Sequence, residues 1–319
     1  MMLATFLAAT ALTTSAPHIE LMRAFNAGET FNYEYKSHIL SEQKWPGMAF
    51  FLPSEFSLDY KFSLAIQKLT HEGFAEAVYT RPVMRFTEGE TAESPPKITT
   101  EQVDWKYQLT LSPVNEVTDV KDLNPKKGGG KVSNGLFATA PVGSGASQDF
   151  VSELIQELHG LAMFAGGLES SLDLSPKLPF EEVEQGDTWK RTVGFQPRKL
   201  KGSDQHAMQR LDYTYTYDGK VMGDKTLVDR VVATLELETD AAPFILQSMG
   251  VKPEDSQLKN VTLKLQTRIV YDLDAKSLAT LKADASSSGM FSIVVKGESE
   301  PVIEEKFTGT ASLRLISRS

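Results

Sequence analysis

The chain contains no cysteine. This absence excludes disulfide bonds, a thiolate nucleophile, zinc sites built on cysteine and acylation of a lipoprotein cysteine. It does not argue against export, because a chain of 319 residues can bury a large core without covalent cross-links. Cysteine usage therefore leaves the compartment open.

Short motifs for common chemistries are also missing. There is no Gly-x-Ser-x-Gly nucleophile elbow and no Gly-x-x-x-x-Gly-Lys-Ser/Thr phosphate loop. The five histidines form no pair at zinc-ligand spacing, and His71-Glu72 lacks the second histidine of a zinc peptidase. Acidic residues number 42, so pairs of carboxylates do not single out a glycosidase site. The sequence predicts no catalytic residue, no metal site and no cofactor.

Positive charge is in short supply, since the formal net charge is -9. A nucleic-acid partner demands a basic surface, so this class of function is excluded. Hydrophobic residues make up 41% and charged residues 24% of the chain, which is ordinary for a globular protein. Beyond the N-terminal segment, no apolar run is long enough to predict a transmembrane helix.

The N-terminal segment is typical of a secretory signal peptide. Leu3 to Leu12 is an apolar run too short to span a bilayer, and small residues lead to a plausible cleavage site after Ala16. No lysine or arginine precedes the run, and a buried N-terminal helix is the alternative. We expect residues 1–16 to be removed and a soluble chain from Pro17 to be periplasmic, cell-surface or extracellular.

Apolar and polar residues alternate over long segments, which predicts β-strands with one apolar face. Such two-faced strands are typical of antiparallel sheets, so we predict a mainly β fold. The tyrosines at 213, 215 and 217 are typical of a packed sheet face rather than an exposed carbohydrate platform. The apolar positions of the clearest strands are Phe56, Leu58, Tyr60, Phe62, Leu64 and Ile66; Val103, Trp105, Tyr107, Leu109 and Leu111; Leu211, Tyr213, Tyr215 and Tyr217; Val261, Leu263, Leu265, Ile269 and Tyr271; and Phe307, Ala311, Leu313 and Leu315.

One segment has helical spacing instead. Apolar residues recur every three or four positions after Phe150, Ser147 can cap the first turn, and Gly166-Gly167 can end the last one. We predict an amphipathic helix over 148–164, preceded by a Gly-rich loop, and a shorter helix over 243–249. If the chain encloses an apolar ligand, Leu154, Leu158, Leu161 and Phe164 of this helix would line the cavity; plain core packing is the alternative and the preferred interpretation.

The two halves of the chain share short elements in the same order. Gly28-Glu29-Thr30-Phe31 corresponds to Gly186-Asp187-Thr188-Trp189, and similar strand and turn elements follow at nearly constant offsets. This order predicts an internal duplication into two β-lobes, with the helix between them. The predicted domains are the signal peptide at 1–16, a first lobe at 17–145, and the helix with the second lobe at 146–319.

Two segments carry a family resemblance. The stretch from Leu178-Pro179 to Gly186-Asp187-Thr188-Trp189 resembles an element of a bacterial family of exported β-rich proteins of unknown function, and so does the turn from Leu111 to Val117. The resemblance implies export and a β-rich fold. Asn115 stands where family members often have glycine, and no catalytic residue is carried over.

Three functions remain open on these observations. The leading hypothesis is a non-catalytic binding module of the cell envelope, with an apolar ligand enclosed by a curved sheet and the helix. The second is a structural or protein-interaction module without a small ligand. The third is a hydrolase acting on envelope polymers, which requires convergent carboxylates or histidines in a cleft.

Overall fold

The computed structural model describes residues 18–44, 47–70, 72–89, 95–123, 175–195, 209–224, 226–243, 246, 252 and 254–319. Within these ranges the chain forms eleven β-strands and no complete helix. The strands are β1 Thr30–Lys44, β2 Leu52–Leu69, β3 Ala75–Glu88, β4 Lys97–Leu111, β5 Val117–Asp122, β6 Thr188–Phe195, β7 Gln209–Met222, β8 Leu227–Asp240, β9 Leu258–Asp274, β10 Thr280–Val295 and β11 Ile303–Arg318.

All eleven strands belong to one antiparallel sheet with the order β5-β4-β3-β2-β1-β11-β10-β9-β8-β7-β6. Strands β1 to β5 form one run of neighbours and β6 to β11 form the other. The pairing of β1 with β11 joins the two runs over most of the length of both strands. The prediction of long antiparallel strands is confirmed.

Period-two alternation explains why these segments form strands with two distinct faces. In β9, Val261, Leu263 and Leu265 are buried on one face, which we call the inner face, while Lys264 and Gln266 lie exposed on the outer face. The same division holds in β7, where the tyrosines are buried as predicted. A shift of register by one residue would exchange the faces, so the pattern also determines the pairing.

The sheet curls so that regions near its two edges meet at one end of the strands. Arg191 of edge strand β6 forms an ion pair with Glu116, which directly precedes edge strand β5. Lys177, just before β6, donates from Nζ to the carbonyl oxygen of Asn115 at 2.5 Å. We call this the closed end of the sheet; it includes the turns at 112–116 and 274–280.

The segment before β1 packs into the closed end. Ile19 pairs with Val183 in an antiparallel bridge, and Leu21 is fully buried. Arg23 is also buried and donates from Nη1 to Asn115 Oδ1 at 3.3 Å, while its guanidinium lies 4.8 Å from the centroid of the Phe25 ring. Burial lowers the pKa of Arg23, because the charged form loses water.

The predicted duplication is not confirmed, because the strands form one continuous sheet. The matched elements nevertheless share local geometry. Gly28 and Gly186 both have positive φ, at 85° and 97°, and each donates its N–H across to a strand, to Ile66 and Tyr217 respectively. The corresponding turns contain the positive-φ residues Asn115 and Leu278. The duplication stays a prediction with this geometry in its favour.

The predicted signal peptide and the helix over 148–164 lie outside the described residues. The short helix over 243–249 lies mostly outside them, although Ala242 and Pro243 have helical backbone geometry. In the ranges that the structure describes, no helix is long and apolar enough to cross a membrane. The described residues are therefore nearly all β, and the mainly β fold is confirmed for them.

Candidate functional site

The inner face carries a ladder of neighbouring aromatic rings across strands β1 to β4. Ring centroids lie 5.1 Å apart between Tyr33 and Phe62, 5.1 Å between Phe62 and Tyr79, and 6.4 Å between Tyr79 and Tyr107. These residues come together because each occupies an inner-face position of its strand and neighbouring strands pair in register. The ladder gives this half of the face a broad apolar surface with polarisable rings.

A buried cation interrupts the ladder. Arg81 of β3 is 1% exposed, and its guanidinium carbon lies 3.7 Å from the centroid of Tyr60 and 4.6 Å from that of Trp105. Its Nε donates to the hydroxyl of Tyr79 at 2.6 Å. Cation–π contacts with two rings offset part of the hydration free energy that the guanidinium loses on burial.

The centre of the inner face is lined by small side chains. On β10 the successive inner positions are Ala283, Ala285, Ser287 and Gly289, and β11 adds Gly309 and Ala311. Their register places them side by side, since Ala285 is opposite Ala311 and Ser287 is opposite Gly309. We call this strip the small-residue trough. It lies between the aromatic ladder of β1–β4 and the tyrosines of β7.

Four hydroxyl groups on the inner face are buried without a hydrogen-bond partner among the described residues. They are Ser37 Oγ on β1, Ser54 Oγ on β2, Ser287 Oγ on β10 and Tyr213 OH on β7. Ser287 Oγ leans over Gly309, where an added Cβ would approach it to 2.7 Å. An unsatisfied buried hydroxyl is unfavourable, so each group offers a polar contact inside an apolar surface.

The tyrosines on the other half of the face have an apolar environment. Tyr213 and Tyr215 of β7 and Tyr271 of β9 are buried, and burial raises the pKa of all three phenols. Deprotonation would leave an anion where water cannot solvate it, so the phenols stay neutral. Trp189 of β6 stacks on Tyr215 with ring centroids 5.7 Å apart, which extends this aromatic surface to the sheet edge.

Glu305 places a buried carboxylate on the inner face at the end of the strands opposite to the closed end. Glu305 of β11 has no exposed surface; its Oε1 accepts from Ser41 Oγ at 2.5 Å and its Oε2 from Gln43 Nε2 at 2.7 Å. Both donors belong to neighbouring strand β1 and hold the carboxylate in place. In the described part of the chain, no cluster of three or more histidine, aspartate or glutamate side chains forms a metal site.

A separate groove of about 810 Å³ lies on the outer face and crosses strands β8, β9, β10, β11 and β1. Its lining side chains include Leu40, Met290, Glu238, Lys264 and Lys306. Lys264 and Glu238 form an ion pair at 2.8 Å, and both are at least half exposed. Charged pairs in contact with water make this groove a less suitable place for an apolar ligand than the inner face.

The predicted cavity-lining residues Leu154, Leu158, Leu161 and Phe164 lie outside the described residues, so their role stays a prediction. Sequence reasoning missed Arg81, Glu305 and the small-residue trough. A signal existed in each case: Arg81 and Glu305 are charged residues at inner-face positions of alternating strands, and the trough is a period-two run of small residues in β10.

Comparisons with known proteins place the chain in no family, since no family model and no curated protein matches it. Among solved structures, lipovitellin, from a study of lipid–protein interactions, matches with 12% identity and a TM-score of 0.43. The match covers 92% of this chain but only 26% of that one, so the chain spans about a quarter of the lipovitellin chain.

Two bacterial structures match over most of both chains. DynF, from the dynemicin biosynthesis pathway of Micromonospora chersina, is 9% identical with a TM-score of 0.22. The match covers 94% of this chain and 86% of the DynF chain. A DUF1329 family protein from Desulfovibrio piger is 9% identical with a TM-score of 0.14. The match covers 89% of this chain and 85% of that protein's chain. At these scores the three similarities establish neither a function nor membership of the exported family that the sequence resembles.

Proposed function

We propose that the chain is a non-catalytic binding protein of the cell envelope that holds an apolar ligand against the inner face of its sheet. The observation that carries this proposal is the small-residue trough between two aromatic surfaces. Side chains of alanine, serine and glycine fill little space, while the flanking rings are large. An apolar chain or ring system would pack against such a strip between the flanking rings.

The architecture supports the same function. In the described ranges all strands belong to one sheet, so no second described sheet packs on the inner face. The contacts between Arg191 and Glu116 and between Lys177 and Asn115 curl the sheet around this face. Burial of apolar surface contributes about 25 cal/mol per Å², so a ligand held against the inner face would gain affinity without many polar contacts.

The proposed export of the chain rests on its sequence alone. The apolar run from Leu3 to Leu12 and the small residues up to Ala16 support a cleaved signal peptide. An exported carrier suits an apolar molecule, because such a molecule is poorly soluble in the aqueous compartment that it must cross.

A structural or protein-interaction role is the second candidate. It is favoured by large apolar side chains that are exposed, such as Phe180 at 71% and Met222 at 75%. A hydrolase has less support, because the buried Glu305 is held by Ser41 and Gln43.

The test is to purify the chain under native conditions and record its intact mass before and after extraction with organic solvent. We expect an apolar small molecule to co-purify and to be released by extraction. A matched pair of variants locates it: Ala285→Trp fills the trough, while Ser286→Trp places the same ring on the exposed outer face one residue away.

We expect at least fivefold less ligand on Ala285→Trp and an unchanged amount on Ser286→Trp, with circular dichroism confirming that both variants are folded. If Ala285→Trp does not fold, Ala285→Leu fills less of the trough and serves in its place. A ligand-free mass from several expression hosts would contradict the proposal and favour the protein-interaction role.

A further inference from the structure

The hairpin between β1 and β2 has an apolar tip that is exposed to solvent. Phe50 is 65% exposed and Leu52 is 42% exposed, and Phe51 lies between them in the sequence. Consecutive large apolar residues at a hairpin tip contribute nothing to the core. Such an element is explained by a partner that removes it from water.

Two lysines flank the tip. Lys306 Nζ of β11 lies 4.6 Å from the centroid of the Phe51 ring, and Lys44 Nζ of β1 lies 5.8 Å from it. In this arrangement the two ammonium groups lie within cation–π distance of the Phe51 ring, so cations border the apolar tip. The register pairs Lys306 with Glu42 and Lys44 with Glu304, so the region around the tip is close to electrically neutral.

The tip lies at the end of the sheet opposite to the closed end. Strand β1 runs from Thr30, whose N–H bonds to Ser319 near the closed end, to Lys44 at the tip. The first residues of β4 lie at the same end as the tip, and among them Ile98 is 53% exposed. Exposed apolar side chains therefore occur at the end of the sheet opposite to the segment before β1.

We propose that the tip formed by Phe50, Phe51 and Leu52 inserts into the surface of a phospholipid bilayer. The inference rests on the proposed function, because an apolar ligand is held mainly in membranes and must be collected from or delivered to one. The apolar side chains would reach the boundary of the acyl chains, and Lys44 and Lys306 would lie at the depth of the phosphate groups.

A bilayer fits the tip better than a protein partner does. The tip is a narrow projection, and a fluid lipid surface can close around it without a shaped pocket. Because the lysines are balanced by Glu42 and Glu304, and the whole chain carries a charge of -9, apolar insertion rather than charge attraction would drive the binding. Binding to zwitterionic lipid should therefore depend weakly on salt.

The test is co-flotation of the full chain with phosphatidylcholine vesicles. The variant carries Phe50→Ser together with Leu52→Ser. The control carries Met222→Ser together with Leu227→Ser, which removes two exposed apolar side chains from the β7–β8 turn near the closed end. We expect at least tenfold weaker vesicle binding by the tip variant and unchanged binding by the control.

A second measurement separates failure of this inference from failure of the proposed function. Ligand content by intact mass should stay normal when the tip variant is loaded by refolding with lipid extract, while its uptake from vesicles should fall at least tenfold. Absence of vesicle binding by the unaltered chain overturns the inference, and so does equal loss of binding in the control. Concentration-dependent self-association that the tip variant abolishes would also overturn it, because a second copy would then be the partner.

Discussion

Arg191 and Glu116 form an ion pair although they belong to opposite ends of the strand order. Arg191 lies on edge strand β6, and Glu116 immediately precedes edge strand β5. The same guanidinium donates from Nη1 to the carbonyl oxygen of Leu178 at 3.2 Å and lies 4.1 Å from the ring centroid of Phe180. A single side chain thus links the segment before β6 with the β4–β5 turn and keeps the sheet curled.

Arg191→Met should destabilise the protein more than Glu116→Gln does. The methionine variant loses the ion pair, the Leu178 hydrogen bond and the stacking on Phe180, so we expect a loss of about 2 kcal/mol. The glutamine variant loses only the charge of a half-exposed partner, so its free energy of unfolding should fall by less than about 1 kcal/mol. Urea unfolding followed by circular dichroism measures both. Equal effects would mean that the ion pair, rather than the whole contact set, holds the edges.

Removal of one hydroxyl from β7 should stabilise the protein, whereas removal of another should destabilise it. Tyr213 OH is buried without a described partner, so Tyr213→Phe should raise the free energy of unfolding by about 1 kcal/mol. Tyr217 OH donates to the buried Asp229 at 2.7 Å, so Tyr217→Phe should lower it by about 2 kcal/mol. Thermal unfolding of the two variants tests the pair. A destabilised Tyr213→Phe would show that a ligand or another group binds this hydroxyl.

Gly289→Ala should destabilise the sheet although alanine is the better strand residue. The Phe307 ring lies over Gly289 from the neighbouring strand, and an added Cβ would collide with this ring and approach the Lys264 carbonyl oxygen to 2.6 Å. We expect a loss of about 1–3 kcal/mol. Combining Gly289→Ala with Phe307→Leu should cost less than the sum of the single changes, because the shorter side chain removes the ring contact. If chemical denaturation shows that the two losses of unfolding free energy are additive, the strain lies at the contact with the Lys264 carbonyl oxygen instead.

Strands and their faces were predictable because alternation is a local property. Leu58, Tyr60 and Phe62 of β2 are buried at the positions that their spacing predicts, and so are the tyrosines of β7. The turn at Asn115 followed from the same kind of local signal, and its positive φ of 62° suits an asparagine better than most residues.

The arrangement of the strands was not predictable in the same way. The pairing of β1 with β11 brings Asn32 within 3.0 Å of Ser317, which is 285 residues away in the sequence. Neither strand carries a sequence signal that specifies its partner, because any two strands with alternating apolar and polar residues can pair. The continuity of the sheet from β5 to β6, and the trough at its centre, both depend on this long-range register.

The buried Lys177 should make stability depend on pH on the alkaline side of neutrality. Burial lowers the pKa of its amine to about 7, with Glu116 opposing and Arg191 adding to the effect. Between pH 7 and the ordinary pKa of lysine, the unfolded chain binds a proton that the folded chain has released. Stability therefore rises with pH through this window, by at most about 1.4 kcal/mol per pH unit.

Lys177→Met should remove this rise, while Lys190→Met, at an exposed position of β6, should keep it. Urea unfolding at intervals from pH 6 to about pH 9.5 measures the slope. The series ends there because burial raises the pKa of Tyr213 and Tyr215. The contribution of these two phenols to stability is complete below the ordinary phenol pKa and decreases above it, which would obscure the effect of Lys177. A rise that persists in Lys177→Met would assign the titration to another group and would mean that Lys177 remains charged against the Asn115 carbonyl at neutral pH.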